Sequence, residues 1–94
     1  MSRSLIVAVR KTWRVNPGMV YALVKIHDGS LKVVQSCPAG TMFWELDEVE
    51  GLLTGPKTQQ IYSEIRCEAL QWCMEDGRAK LAARSKTHPA GLVA

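Results

Sequence analysis

The stretch Thr58–Asp76 limits what this chain can fold into more than any other segment. Ile61, Ile65, Ala69, Trp72 and Cys73 recur at i, i+4, i+8, i+11 and i+12, and Gln60, Glu64, Glu68, Gln71 and Glu75 fall on the other side. That period predicts one amphipathic helix. Thr58 offers a hydroxyl to cap its start, and Gly77 offers a left-handed residue to end it. At 1.5 Å per residue the helix is about 28 Å long, the width of a small domain. Its apolar stripe has to be buried, and the only large partner in the chain is a sheet formed upstream.

Turn signals divide that upstream region into strand-sized pieces. Glycines stand at positions 18, 29, 40 and 51, eleven apart. Asn16-Pro17-Gly18, Asp28-Gly29 and Cys37-Pro38-Ala39-Gly40 are turn sequences, because proline presets φ and glycine accepts a positive φ. Strands are predicted over Ser4–Val15, Met19–His27 and Ser30–Gln35. In the first, Leu5, Val7 and Val9 alternate with Ile6 and Ala8, so both faces are apolar. This suits a central strand, or one covered on both sides. Further along, Lys11, Trp13 and Val15 share one side and Arg10, Thr12 and Arg14 the other. In the second strand Tyr21, Leu23, Lys25 and His27 oppose Val20, Ala22, Val24 and Ile26. The uniformly apolar even-numbered face is predicted to face the core. The segments share nothing but their rhythm, which indicates an antiparallel meander and not a sequence repeat.

Residues 41–54 fit two patterns. Met42, Leu46, Val49 and Leu53 form a helical stripe, whereas Met42, Trp44 and Leu46 fit a strand. The acids Glu45, Asp47, Glu48 and Glu50 favour the first turns of a helix, capped by Thr41 or Asp47. A helix is therefore expected, with a short strand through Phe43–Leu46 as the alternative. Gly55-Pro56 breaks the chain before the main helix. After Gly77, good helix formers either continue that helix or make a short second piece. The expected fold is α+β: a three-stranded, or four-stranded, antiparallel β-meander packed on one long C-terminal helix, with a short helix or strand between. Residues 1–84 form a single domain and 85–94 a loose tail.

Ninety-four residues suffice for one domain and leave a modest stability margin, so self-association is a reasonable expectation. The longest apolar run near the start, Leu5–Val9, is too short for a signal-peptide core or a span, so a cytoplasmic location without membrane contact is expected. Cys37, Cys67 and Cys73 are odd in number and lack a Cys-x-x-Cys pair, which predicts reduced thiols, Cys73 and Cys67 serving as small core residues. The net charge of +3 is unevenly spread. Residues 1–15 and 78–94 each carry four basic residues and no acid, and the middle holds all nine acids. Such ends either polarise the surface or neutralise the middle once folded.

Motifs for chemistry are sparse. Nucleophilic catalysis needs a nucleophile, a base and a group to orient the base. A pair of His27 with Cys37 can be imagined, because both fall near the same side of the predicted sheet. His88 lies in the tail. Gly51–Gly55 lacks the lysine of a phosphate loop. The histidines and cysteines lack metal-ligand spacing, and Glu45–Glu50 lacks the alternating acids and central glycine of a calcium loop. No catalytic residue, metal or cofactor is assigned, and the chain is read as a non-enzyme.

Two surfaces remain. Phe43 and Trp44 are adjacent and cannot both face inward on a regular element, and exposed aromatics mark binding hot spots. With Glu45, Asp47 and Glu48 they form the candidate partner-binding segment. Arg10, Lys11, Trp13 and Arg14 combine phosphate-holding cations with a stacking plane and form the alternative, a nucleic-acid surface, extended by Arg78, Lys80 and Arg84. The expected function is a small protein-binding module, an inhibitor or adaptor that occludes a partner's surface, of the kind phages and other mobile elements encode. Its partner is another protein, nucleic acid is the alternative, and the chain acts as a monomer or homodimer.

Overall fold

The computed structural model describes residues 5–87, with side chains through residue 79. Four strands, β1 (Ile6–Asn16), β2 (Met19–Ile26), β3 (Leu31–Cys37) and β4 (Gly40–Trp44), are followed by helices α1 (Leu46–Glu50) and α2 (Pro56–Thr87). The strands form one antiparallel sheet in sequence order, so every connection is a hairpin. The glycines at 18, 29 and 40 lie in or beside the three hairpin turns, and Gly51 ends α1. Gly29 and Gly40 adopt φ of 91° and 139°, conformations that a side chain resists. At the second hairpin Asp28 accepts hydrogen bonds from the Ser30 amide and hydroxyl at 2.9 and 2.7 Å. These bonds favour the ionised carboxylate and hold its pKa below the ordinary value.

α2 crosses one face of the sheet, and the core lies between them. Trp13, Tyr21, Leu23 and Val33 from the strands meet Ile65, Ala69 and Trp72 of α2, with Val49 and Leu53 closing one side. The odd-numbered face of β2 therefore turns to the helix, contrary to the sequence expectation. Both faces of β2 are apolar enough to be buried. The choice falls to the odd face because it aligns Tyr21 with Trp13 and Leu23 with Val33, the larger side chains, under α2. β1 is likewise an edge strand and not a central one.

Residues 40–50 divide between the two readings, with the strand ending at Trp44, short of Leu46, and with Glu45, not Thr41 or Asp47, as the N-cap of the helix. Gly40–Trp44 pairs with β3, and α1 begins only at Leu46. The Glu45 amide donates to Glu48 Oε1 at 2.7 Å, which satisfies one of the free donors at the helix start. α2 starts earlier than predicted and runs longer. Pro56 takes the first helical position, where its missing N–H costs nothing. Thr58 is then inside the helix, and its hydroxyl accepts the Gly55 amide at 2.9 Å. Gly77 does not end α2. A helical glycine costs about 1 kcal/mol, and the formers on both sides outweigh it once the helix is nucleated. The helix consequently includes residues 85–87 of the expected tail; the rest of that tail, with His88, lies outside the described residues.

Candidate functional site

The basic first strand and the acidic helix meet in one seam. Strict alternation would put Arg10 with Thr12 and Arg14, away from Trp13. A register shift between Val9 and Lys11 breaks that alternation and leaves Arg10 without a cross-strand partner in the pairing with β2. Arg10 turns toward α2, donating from Nε to Glu68 at 3.0 Å and from its terminal nitrogens to Glu75 at 2.6 and 3.1 Å. Those bonds hold Arg10 firmly protonated and draw the Glu75 carboxyl below its usual range. Trp13 is buried, and its Nε1 donates to Glu64 at 2.9 Å. Lys25 of β2 pairs with Asp76 and stands 4.8 Å above the Trp72 ring, with Arg10 5.8 Å from the same ring. Half of the candidate nucleic-acid set is thus engaged inside the fold. Lys11 lies over the Trp13 ring at 5.5 Å, and Arg14 shares a row with Val20 on the opposite face. Of the further cations, Arg78 is exposed on α2 beyond the sheet; the side chains of Lys80 and Arg84 lie outside the described ones.

The candidate partner-binding residues are also divided by the sheet. Phe43 pairs with Val34 and projects from the face away from α2. Trp44 points the other way, is half-buried against the core, and donates from Nε1 to Gln35 at 2.8 Å. Glu45 pairs with Lys32 and raises its pKa. Glu48 is occupied in the cap of α1. Asp47 lines a concave surface.

That surface is a cleft of about 410 Å3 between α1, α2 and the start of β3. Leu31, Leu46, Tyr62, Ala69, Leu70 and Cys73 line it, and Asp47, Glu50 and Arg66 supply its charges. Leu70 keeps 64% of its surface exposed. Sequence reasoning missed the cleft because Leu70 and Cys73 flank the buried stripe of α2. Cys73 was expected in the core, as was Cys67. Both are exposed, because the stripe that meets the sheet runs through Ile65, Ala69 and Trp72, and a residue one step beyond Trp72 is rotated about 100° away. The periodicity of 61–73 contained that signal.

His27 and Cys37 do not meet. His27 follows the end of β2 in the β2–β3 turn, and Cys37 ends β3 at the opposite end of the sheet, about 20 Å away at 3.4 Å per residue. Among the described residues no group of three His, Cys, Asp or Glu side chains is placed to hold a metal, and no helix is long and apolar enough to cross a membrane. Compared with protein-family models, with curated proteins and with solved structures, the chain shows no match.

Proposed function

We propose that this chain is a non-catalytic protein-binding module that takes a short segment of a partner protein into the cleft between α1 and α2. One observation carries the reading. An apolar floor open to solvent, to which Leu31, Leu46, Ala69 and Leu70 contribute, lies beside two carboxylates, Asp47 and Glu50, and one guanidinium, Arg66. A pocket of this kind suits an apolar anchor side chain with a lysine or arginine next to it. The anchor would supply affinity by desolvation, and the charge pair would supply orientation. Acting this way, the module occludes or tethers its partner, as an inhibitor or adaptor does. The β1 edge of the sheet does not compete for this role, because β1 carries three register shifts, which blunt an edge against strand addition.

Selection from a displayed library of short random peptides tests the proposal. Enriched peptides should carry an aliphatic or aromatic residue beside a basic one. Leu70→Glu should weaken them at least about tenfold, and Asp47→Lys with Glu50→Lys should weaken the basic ones most, with a loss of salt dependence. Selected peptides indifferent to all three substitutions would refute the cleft. Retention of nucleic acid that falls steeply with salt and is lost in Lys11→Ala/Arg14→Ala would move the function to the basic strand.

A further inference from the structure

The side of α2 turned away from the sheet carries a second apolar row. Cys67, Leu70, Met74 and Gly77 recur at steps of three, four and three, and Leu81 stands at the next step of four in the sequence. At about 100° per residue this row lies opposite the stripe Ile65, Ala69 and Trp72 that meets the core. Cys67, Leu70, Met74 and Gly77 are all exposed, Leu70 by 64% and Met74 by 50%. A strict three–four spacing is the seam of one helix packed along another.

α2 also outruns its support. Among the described residues its buried side chains end at Trp72 and its ion pairs with the sheet at Asp76, and the helix continues to Thr87. Residues 77–87 add about 16 Å of helix. They carry Arg78, Lys80, Arg84 and Lys86 and no acid. Helices in proteins owe most of their stability to the packing of a face, so a stretch of this length is suited to a partner.

We infer that the outer face of α2 docks an amphipathic helix of a partner protein, one with an apolar seam and acidic residues on either side of it. This surface goes beyond the cleft between α1 and α2 and does not rest on it. The spacing fixes the partner's shape, and charge fixes its chemistry. All four acids of α2 are engaged with the sheet: Glu64 accepts from Trp13, Glu68 and Glu75 accept from Arg10, and Asp76 pairs with Lys25. The cations are left outward. Arg66 and Arg78 flank the row, one on each side, both exposed, and neither joins an ion pair among the described residues. Charges at flanking positions set which helix a seam accepts, so glutamates on the partner would meet these arginines.

Two other occupants fit less well. A second copy of α2 would bring Arg66 and Arg78 toward the same cations on its twin, with every acid of α2 already committed to the sheet. A nucleic acid would use the cations and gain nothing from Leu70 and Met74. Gly77 adds a notch to the row. A Cβ there would meet nothing within 4 Å, so a large side chain of the partner can sit over the backbone.

Fluorescence anisotropy with designed helical peptides tests the inference on the full chain. Two peptides of about three heptads carry leucine along the seam, one with glutamate and one with lysine at the flanking positions. The glutamate peptide should bind at least about tenfold more tightly than the lysine peptide, by a margin that shrinks as salt rises. A peptide of the same composition as the first, with its leucines off the seam, should not bind. Met74→Glu should weaken the glutamate peptide at least about tenfold, and Arg78→Glu should narrow or reverse the preference between the two charged peptides. Both side chains are exposed, so the circular dichroism of the variants should match wild type. Neither residue lines the cleft, so peptides selected on the cleft should bind both variants as they bind wild type. Asp47→Lys with Glu50→Lys, which disables the cleft, should leave the glutamate peptide bound, so failure of the cleft reading and failure of this one are distinguishable. Equal binding of the two charged peptides, binding of neither at about a hundred micromolar, or a glutamate peptide indifferent to Met74→Glu would overturn the inference. A chain that dimerises by itself and loses the dimer in Met74→Glu would overturn it in favour of a second copy, and single-stranded DNA displacing the glutamate peptide would overturn it in favour of nucleic acid.

Discussion

Leu23→Ala and Val20→Ala, compared with each other, test which face of β2 is the core. Leu23 is fully buried, in register with Val33 and under α2. Truncation to alanine removes three carbons, about 2.4 kcal/mol of transfer free energy at ~0.8 kcal/mol each. The backbone around it is pinned on both sides by β1 and β3, so the void closes only in part. An unfilled volume of about 60 Å3 adds roughly 1.5 kcal/mol at ~24 cal/mol per Å3. The expected loss is about 4 kcal/mol, a large share of the roughly 5–14 kcal/mol of a domain this size. Val20 lies on the opposite face and is half-buried. Its truncation removes two partly solvated carbons and should cost at most about 1 kcal/mol. Urea unfolding followed by circular dichroism measures both, at submicromolar protein so that association adds nothing. Unchanged m-values would show that the midpoints report stability alone. A Val20→Ala loss equal to or above that of Leu23→Ala would refute the assignment of the odd-numbered face.

Three further outcomes follow from the geometry. Glu75 has its pKa depressed first by the hydrogen bonds from Arg10, so its contribution is present above the unfolded carboxylate value and lost as pH falls through the folded one. Glu75→Gln should therefore flatten the stability–pH curve below about pH 4.5, and an unchanged acid slope in urea titrations would show that the Arg10 seam contributes nothing. Gly77→Ala should raise stability by about 0.5–1 kcal/mol, or roughly 3–6 °C in Tm, because the helix passes through an open position there. A loss on that substitution would mean that α2 ends at Gly77. Gly29→Ala should do the opposite, lowering stability by about 1 kcal/mol, because its φ of 91° opposes a Cβ in spite of open space around it.

Local chemistry determined much of this protein before any packing. The glycine rhythm and the Pro-Gly and Asp-Gly turns allow hairpins and little else between residues 5 and 40, and the stripe Ile61–Trp72 allows only a helix. Those signals act within a few residues and survive any tertiary arrangement. The cleft and the seam are another matter. Whether Arg10 faces phosphate or Glu68 depends on one register shift, and which of Phe43 and Trp44 is covered depends on which side of the sheet α2 lands. Val20, Val24, Tyr21 and Leu23 are all apolar enough for either side, so the pattern of a single strand carries no preference. The tertiary structure decided it by matching large side chains across strands and by setting Glu64, Glu68, Glu75 and Asp76 opposite Trp13, Arg10 and Lys25. The polar contacts between sheet and helix join residues more than fifty positions apart, a separation over which no local periodicity carries information.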